Sequence, residues 1–424
     1  MDLFRPLTDE LVQGRRPRQK IMILTYKRSW WFSLLLLLAL CPALPAQTEQ
    51  PTPETSPAEQ APAPIPLESP GPVQPTAQPP VQPVTVPSNP ITDAARFLAG
   101  LPVADNSSLA ALTHTSMWQT HAAAMNSAFA TLERRQLSNI RIWRNDFLAP
   151  ITAASKVCVY YFGGPDFLYA DAFYPDCTTY IQVGLESVDS IPDLLTVPRA
   201  ALESTLQNIQ ISLNTILQFS FFKTKDMREE FGRGELKGVL PVIFVFLART
   251  GKVIQSVEYV SLDRGGQLTK AGGSPHGAKI SFVDPATGAQ KVFYFFSTDL
   301  SDDGIKSNPA VLRFTEQQGQ ANCFLKAASY LMHESRFDAV RSFLLNDSVT
   351  VLEDDSGIPA KYLSPDKWTL RFFGSYTGPI NLFKNYYEPD LRQYYENSSP
   401  KPLTFSFGYQ WNRHNSTLIL AVKK

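Results

Sequence analysis

In residues 198–222 the apolar positions Leu202, Leu206, Ile209, Leu213 and Ile216 recur at steps of three and four, the spacing of one buried helix face. Pro198 stands where a first-turn proline belongs. A second helical region runs from 93 to about 150. Its stretches "DAARFLAGL" and "SMWQTHAAAMNSAFATLERRQLSNIRIWRNDFL" are rich in alanine and leucine, and the longer one has no internal proline or glycine. Residues 241–248 predict a short apolar helix ending near Gly251, far too short to span a bilayer. Elsewhere the pattern turns β-branched and aromatic. "KVCVYYF", "TTYIQVGLE", "VIQSVEYVSL", "AKISFVD", "KVFYFFSTDL", "AVLRFTEQ", "SVTVLEDDSGIP", "KWTLRFFGSYTGPI", "LTFSFGYQW" and "STLILAV" all read as strands, with "PATG" as a hairpin turn. "ANCFLKAASYLMHES" reads as a helix between two blocks of strands. There is no fixed-period repeat and no regular βαβ alternation. The pattern predicts an α+β fold: a largely antiparallel sheet flanked by helices and preceded by a helical segment.

The first 92 residues change that picture only by adding segments outside the fold. Residues 22–47, "MILTYKRSWWFSLLLLLALCPALPAQ", place Lys27 and Arg28 before a short apolar run and a small-residue end, the layout of a secretory signal. Cleavage is expected after Ala46. The polar stretch ahead of Met22 suggests an over-extended gene start. Lipid anchoring at Cys41 is the alternative, and Leu40, a large residue where a small one is usual, argues against it. Residues 47–92 hold 14 prolines and no lysine, arginine or aromatic residue, so they predict a disordered, proline-rich linker. The expected organisation is therefore an extension and signal over 1–46, a linker over 47–92, and one large α+β domain over 93–424 whose part 93–150 is helical. The product is expected to be exported, periplasmic or extracellular, with no transmembrane anchor after signal removal.

Charge excludes more than it suggests. Basic and acidic side chains balance at 39 each, so no basic surplus marks the chain for nucleic acid. Of the four cysteines, three lie beyond the signal. That is too few for a disulfide scaffold, though a bridge between Cys158 and Cys177 would close the segment between them.

No Gly-x-Ser-x-Gly elbow, Walker loop, dinucleotide fingerprint or His-Glu-x-x-His motif is present, and nothing calls for a cofactor or a metal. His114 and His121 would share a helix face, but no carboxylate or cysteine at ligand spacing joins them. What remains is a set of acidic, turn-rich blocks at strand ends. "GGPDFLYADAFYPDC", 163–177, joins two strands over a length more typical of a functional loop than of a hairpin. Its Phe167, Leu168, Phe173 and Pro175 suit a core plug, while Asp166, Tyr169 and Asp171 suit a ligand-facing lip. "STDLSDDG" contributes Asp299 in a partial mimic of a calcium loop that lacks the closing glutamate. "EDDSGIP" contributes Asp354 and Asp355, which on a strand would point to opposite faces. Asp166 or Asp171 paired with Asp354 would suit glycoside hydrolysis. Solvated turn carboxylates are the plain alternative. In "KAASYLMH", Ser329 and His333 would share a helix face, with His333 capping the helix end. Aromatic residues make up 12% of the chain and crowd "FFGSY", "NYYEPDLRQYYE" and "FSFGYQW", so Trp411 joins the candidate binding residues, although such residues also fill sheet cores.

Together "GGPDFLYADAFYP", "VGLE", "GVLPVIFVFLARTG", "FSTDL", "KAASYLMH", "LEDDSGIP" and "FGYQW" resemble the blocks of a group of uncharacterised secreted bacterial proteins, over most of residues 155–420. The resemblance implies export and one continuous domain, and no catalytic role. Two functions are carried forward: an envelope module that binds a protein or a glycan, and a hydrolase of a glycan or envelope polymer working through paired aspartates.

Overall fold

The computed structural model describes residues 89–219, 237–272, 276–410 and 412–424. The signal, nearly all of the linker, Cys41 and Trp411 lie outside these residues. The fold is α+β. Ten strands form one sheet: β1 (Val157–Tyr161), β2 (Thr179–Gly184), β3 (Val253–Leu262), β4 (Leu268–Lys270), β5 (Gly277–Asp284), β6 (Ala289–Ser297), β7 (Ala321–Leu325), β8 (Ser348–Glu353), β9 (Trp368–Gly374) and β10 (Thr417–Lys423). Their order is β4-β3-β5-β6-β2-β1-β7-β8-β10-β9. Five pairings are antiparallel and lie at the two flanks. The four parallel pairings are consecutive and join β6, β2, β1, β7 and β8 at the centre.

Burial explains why the centre is parallel. Every residue of β1 and of β7 is buried, as expected of strands covered on both faces. Alternate side chains enter different cores. Cys158 and Tyr160 point to the face covered by helices Ser116–Leu132, Phe167–Phe173, Arg199–Phe219 and Leu240–Arg249. Val159 and Tyr161 point to the face covered by Asp302–Ser307, Ala310–Gln317 and Asp338–Asp347. The N-terminal helical segment belongs to the first of these cores: the Trp143 ring meets Phe173, Phe373 and Phe405 edge-on. It begins with helix Pro90–Leu98 and the short helix Ala110–Thr113, and its longest part runs from Ser116 to Thr152, carrying two π-helical turns at Glu133–Leu137 and Arg144–Leu148. His114 caps the preceding short helix, so it does not share a helix with His121, whose ring bonds Leu98 O and Gln210.

Three expected elements differ. Ala310–Gln317 is a helix, because its apolar residues Ala310, Val311 and Phe314 fall on one helical face over the second core. The block expected as the helix "ANCFLKAASYLMHES" is instead strand β7, a left-handed turn, and a 3-10 turn, Leu331–His333. The described part of "LTFSFGYQW", 403–410, makes turns rather than a strand, apart from a single bridge between Phe407 and Gln410. Cys158, Cys177 and Cys323 are free buried thiols, so no bridge closes the loop. Burial raises the pKa of all three, that of Cys177 to about 12. Among the described residues no helix is long and apolar enough to cross a membrane.

Candidate functional site

The five parallel strands end along one edge of the sheet, which brings together 162–166, 184–186, 297–299, 326–330 and 354–355. The chain leaves β1 for β2 through helix Phe167–Phe173 on the first face. It leaves β7 for β8 through helix Asp338–Asp347 on the second. The connections therefore diverge between β1 and β7, and in a doubly wound sheet that divergence opens a ligand crevice beyond the carboxyl ends of the strands. Strain gathers at the same place. Among the described residues five non-glycine residues have positive φ, and four of them, Phe162, Ala327, Ser329 and Tyr330, follow β1 or β7. Left-handed backbone costs an L-residue roughly 1–2 kcal/mol, so the surroundings must hold these turns in place.

Half of the edge is sealed, and it holds the turns. Asp166 is 1% exposed. Its Oδ2 meets Lys326 Nζ at 2.8 Å and accepts from Tyr160 OH at 3.1 Å, while Oδ1 caps helix Phe167–Phe173 through the Tyr169 N–H. Lys326 Nζ also sits 3.6 Å from the centre of the buried Tyr169 ring. Burial lowers the pKa of this ammonium against the raising effect of Asp166 and then Asp354. Asp354, also 1% exposed, accepts from Ala327 N, Ser356 N and Ser356 Oγ on one oxygen and from Tyr409 N on the other. A Cβ on Gly408, which has φ +66°, would lie 1.8 Å from that second oxygen, so the close approach requires glycine. Tyr409 OH donates to Ala327 O and accepts from Ser329 N, bracketing the left-handed turn.

Beside this clamp lies a more acidic cluster of side chains. Tyr330 OH donates to Asp355 Oδ2 at 2.7 Å, and its ring packs against His333, Phe383, Tyr386 and Tyr409. Burial, with the Asp354 charge second, raises Asp355 to about 7. Burial raises Glu388 to about 8 and lowers His333 to about 4. The 3.8 Å contact between His333 and Glu388 is thus not an ion pair at neutral pH.

The other half of the edge is open. A cavity of about 270 Å³ is lined by residues that follow β1, β2, β6 and β7, among them Phe162, Gly164, Glu186, Asp299, Leu300 and Ser329. Leu331 and Phe337 complete its apolar wall. Glu186 is 6% exposed and sits over the end of β2. A Cβ on Gly184 would stand 2.1 Å from Glu186 Oε2, so glycine is what lets the carboxylate lie there. Gly164 turns with φ +56° beside the same carboxylate. Two larger depressions, of about 750 and 720 Å³, lie along β3 and β4 and between helices Ser116–Leu132 and Arg199–Phe219. Neither gathers parallel strand ends or buried carboxylates, so the smaller crevice is the better candidate.

The structure thus redistributes the residues singled out in the sequence. Asp166 and Tyr169 are sealed rather than ligand-facing, because the loop carrying them winds into helix Phe167–Phe173 and packs inward. Asp171 leaves the edge altogether. Its carboxylate is 3.2 Å from Lys252, within a buried group that includes Asp284 and Lys291, and burial raises its pKa. Asp354 and Asp355 are both buried just beyond β8 and bind different partners. His333 ends a 3-10 turn and is neutral, so it is not a charged helix cap, and it shares no helix with Ser329. Asp299 is exposed and does line the crevice. Sequence reasoning missed Glu186 and Lys326. Glu186 had a signal: it closes "VGLE", some twenty residues after the glycine pair, the separation at which a second-strand carboxylate meets a first-strand turn. Among the described residues no group of three or more His, Cys, Asp or Glu side chains is arranged to hold a metal ion.

No protein-family model, curated protein or solved structure matches this chain.

Proposed function

We propose that the protein is an exported binding module whose switch-point crevice takes a small polyhydroxylated ligand, such as a sugar unit. The observation that carries the reading is the convergence of strand ends β1, β2, β6 and β7 on one cavity with a buried carboxylate, Glu186, at its wall. A carboxylate accepts from two neighbouring hydroxyls, and apolar walls such as Phe162 and Leu331 suit the flat face of a ring. The paired-acid hydrolase is the weaker reading. Asp166 and Asp354 are buried and their oxygens are occupied by internal donors, which leaves no acid and base flanking a bound glycosidic bond.

The test is a thermal-shift and calorimetric screen of the exported chain against monosaccharides, oligosaccharides and nucleosides, beside a Leu185→Trp variant. Leu185 is 58% exposed at the crevice, so tryptophan narrows the opening without disturbing the core. Saturable binding that Leu185→Trp weakens tenfold or more supports the reading. Absence of binding by every polyhydroxylated compound, or binding indifferent to Leu185→Trp, sinks it. Glycan turnover abolished by Asp166→Asn would restore the hydrolase.

A further inference from the structure

We propose that the ligand of this crevice is a ribonucleoside carrying no phosphate, either neutral or cationic at its 5′ end, of the kind represented by adenosine and the S-adenosyl compounds. The inference rests on the reading of the crevice as a site for a polyhydroxylated ligand, and it names the class.

Three observations select a nucleoside over a free sugar. First, the crevice lies where the connections from β1 and β7 diverge, the place at which doubly wound sheets receive nucleoside ligands. Second, Glu186 lies just past the second strand of the parallel core and beside Gly164 in the turn after the first. That is the position from which a carboxylate accepts hydrogen bonds from a ribose diol. Third, the cavity has an apolar side suited to a base. Phe162 and Phe337 meet edge-on at 5.8 Å, with Leu300 and Leu331 nearby. At about 270 Å³ the cavity lies just below the lower bound of roughly 300 Å³ for drug-sized ligands.

The same edge argues against a phosphate. Phosphate-binding turns offer free backbone N–H groups at a helix N-terminus. Here Pro165 has no N–H, and the carboxylate of Asp166 already accepts from Tyr169 N–H at the start of helix Phe167–Phe173. The charged side chains lining the cavity are Glu186 and Asp299, both acidic, so a 5′-phosphate would enter a repulsive field while a sulfonium or ammonium group would be drawn in.

Calorimetry on the exported chain distinguishes the cases, with adenosine, S-adenosylhomocysteine, S-adenosylmethionine, 2′-deoxyadenosine, AMP, NAD and free ribose as probes. The expected result is saturable binding of at least one of the first three, with AMP and 2′-deoxyadenosine at least about tenfold weaker than adenosine. Glu186→Gln, nearly isosteric, is expected to erase the discrimination between adenosine and 2′-deoxyadenosine, with its melting curve checking that it folds. AMP or NAD binding as tightly as adenosine overturns the inference. Binding of sugars but of no nucleoside also overturns it, while leaving the proposed function standing. Binding of neither removes both.

Discussion

Asp355, just beyond β8, and Glu388, at the start of helix Pro389–Asn397, illustrate how a carboxyl group behaves once it is buried. Both are raised, to about 7 and about 8, chiefly because burial penalises the anion. A carboxyl whose folded pKa lies above its unfolded value binds its proton more tightly in the native state. Its contribution is whole below the unfolded pKa, near 4, and is lost as pH rises through the folded value. His333 works the other way. Lowered to about 4, it adds stability that is complete above its unfolded pKa of roughly 6.5 and is lost as pH falls toward 4. From pH 6.5 to 8.5 the two carboxyls outweigh His333, so these groups are expected to lower stability by roughly 2 kcal/mol across that window. Asp355→Asn should make the fall shallower. Urea midpoints at the two pH values check this, and a flat or rising wild-type profile would contradict it.

At the scale of elements the turn 327–330 is the informative piece. Its composition, "AASY", reads as helix, and propensity alone would carry the helix expected of "ANCFLKAASYLMHES" through it. The residues before it are drawn into the sheet beside β1 and β8, and the carboxylate of Asp354 and the hydroxyl of Ser356 then take up its N–H groups. Tertiary hydrogen bonds therefore override local preference and hold Ala327, Ser329 and Tyr330 left-handed. Ala327→Gly is expected to stabilise the protein by about 0.5–1 kcal/mol. It removes a left-handed cost of roughly 1–2 kcal/mol and adds back part of it as unfolded-chain entropy. A shift of the urea midpoint to higher concentration is the readout, and a loss of stability would show the turn to be unstrained. The misreading of 310–317 has the opposite origin. "AVLRFTEQ" carries β-branched and aromatic residues, yet its apolar positions also fit a helix, and the need to cross from β6 to β7 over the second core decides for the helix.

At the scale of the molecule, the five-strand parallel centre places the loops of β1, β2, β6 and β7 around one crevice, and the antiparallel flanks extend the sheet on both sides. The sequence leads to a prediction of its own at this scale. Mass spectrometry of the exported product is expected to give Gln47 as its first residue and no lipid; an acylated Cys41 at the N-terminus would overturn the cleavage assignment. Much of the architecture was legible without coordinates: the α+β class, the strands of the two antiparallel flanks other than the short β4, the amphipathic helix 199–219 and the β5–β6 hairpin. These rest on periodicity and turn chemistry, which act over a few residues and are written in composition. The candidate site was legible only in part. The acidic blocks did mark the carboxyl edge of the sheet, but which carboxylates are sealed and which face the crevice depends on partners distant in sequence. Lys326 neutralises Asp166, Tyr409 clamps Asp354, and Ser329 and Glu186 come to line one cavity. Local pattern determines what each segment can become. The order of strands in the sheet, which follows from burying all of these segments at once, decides which side chains meet.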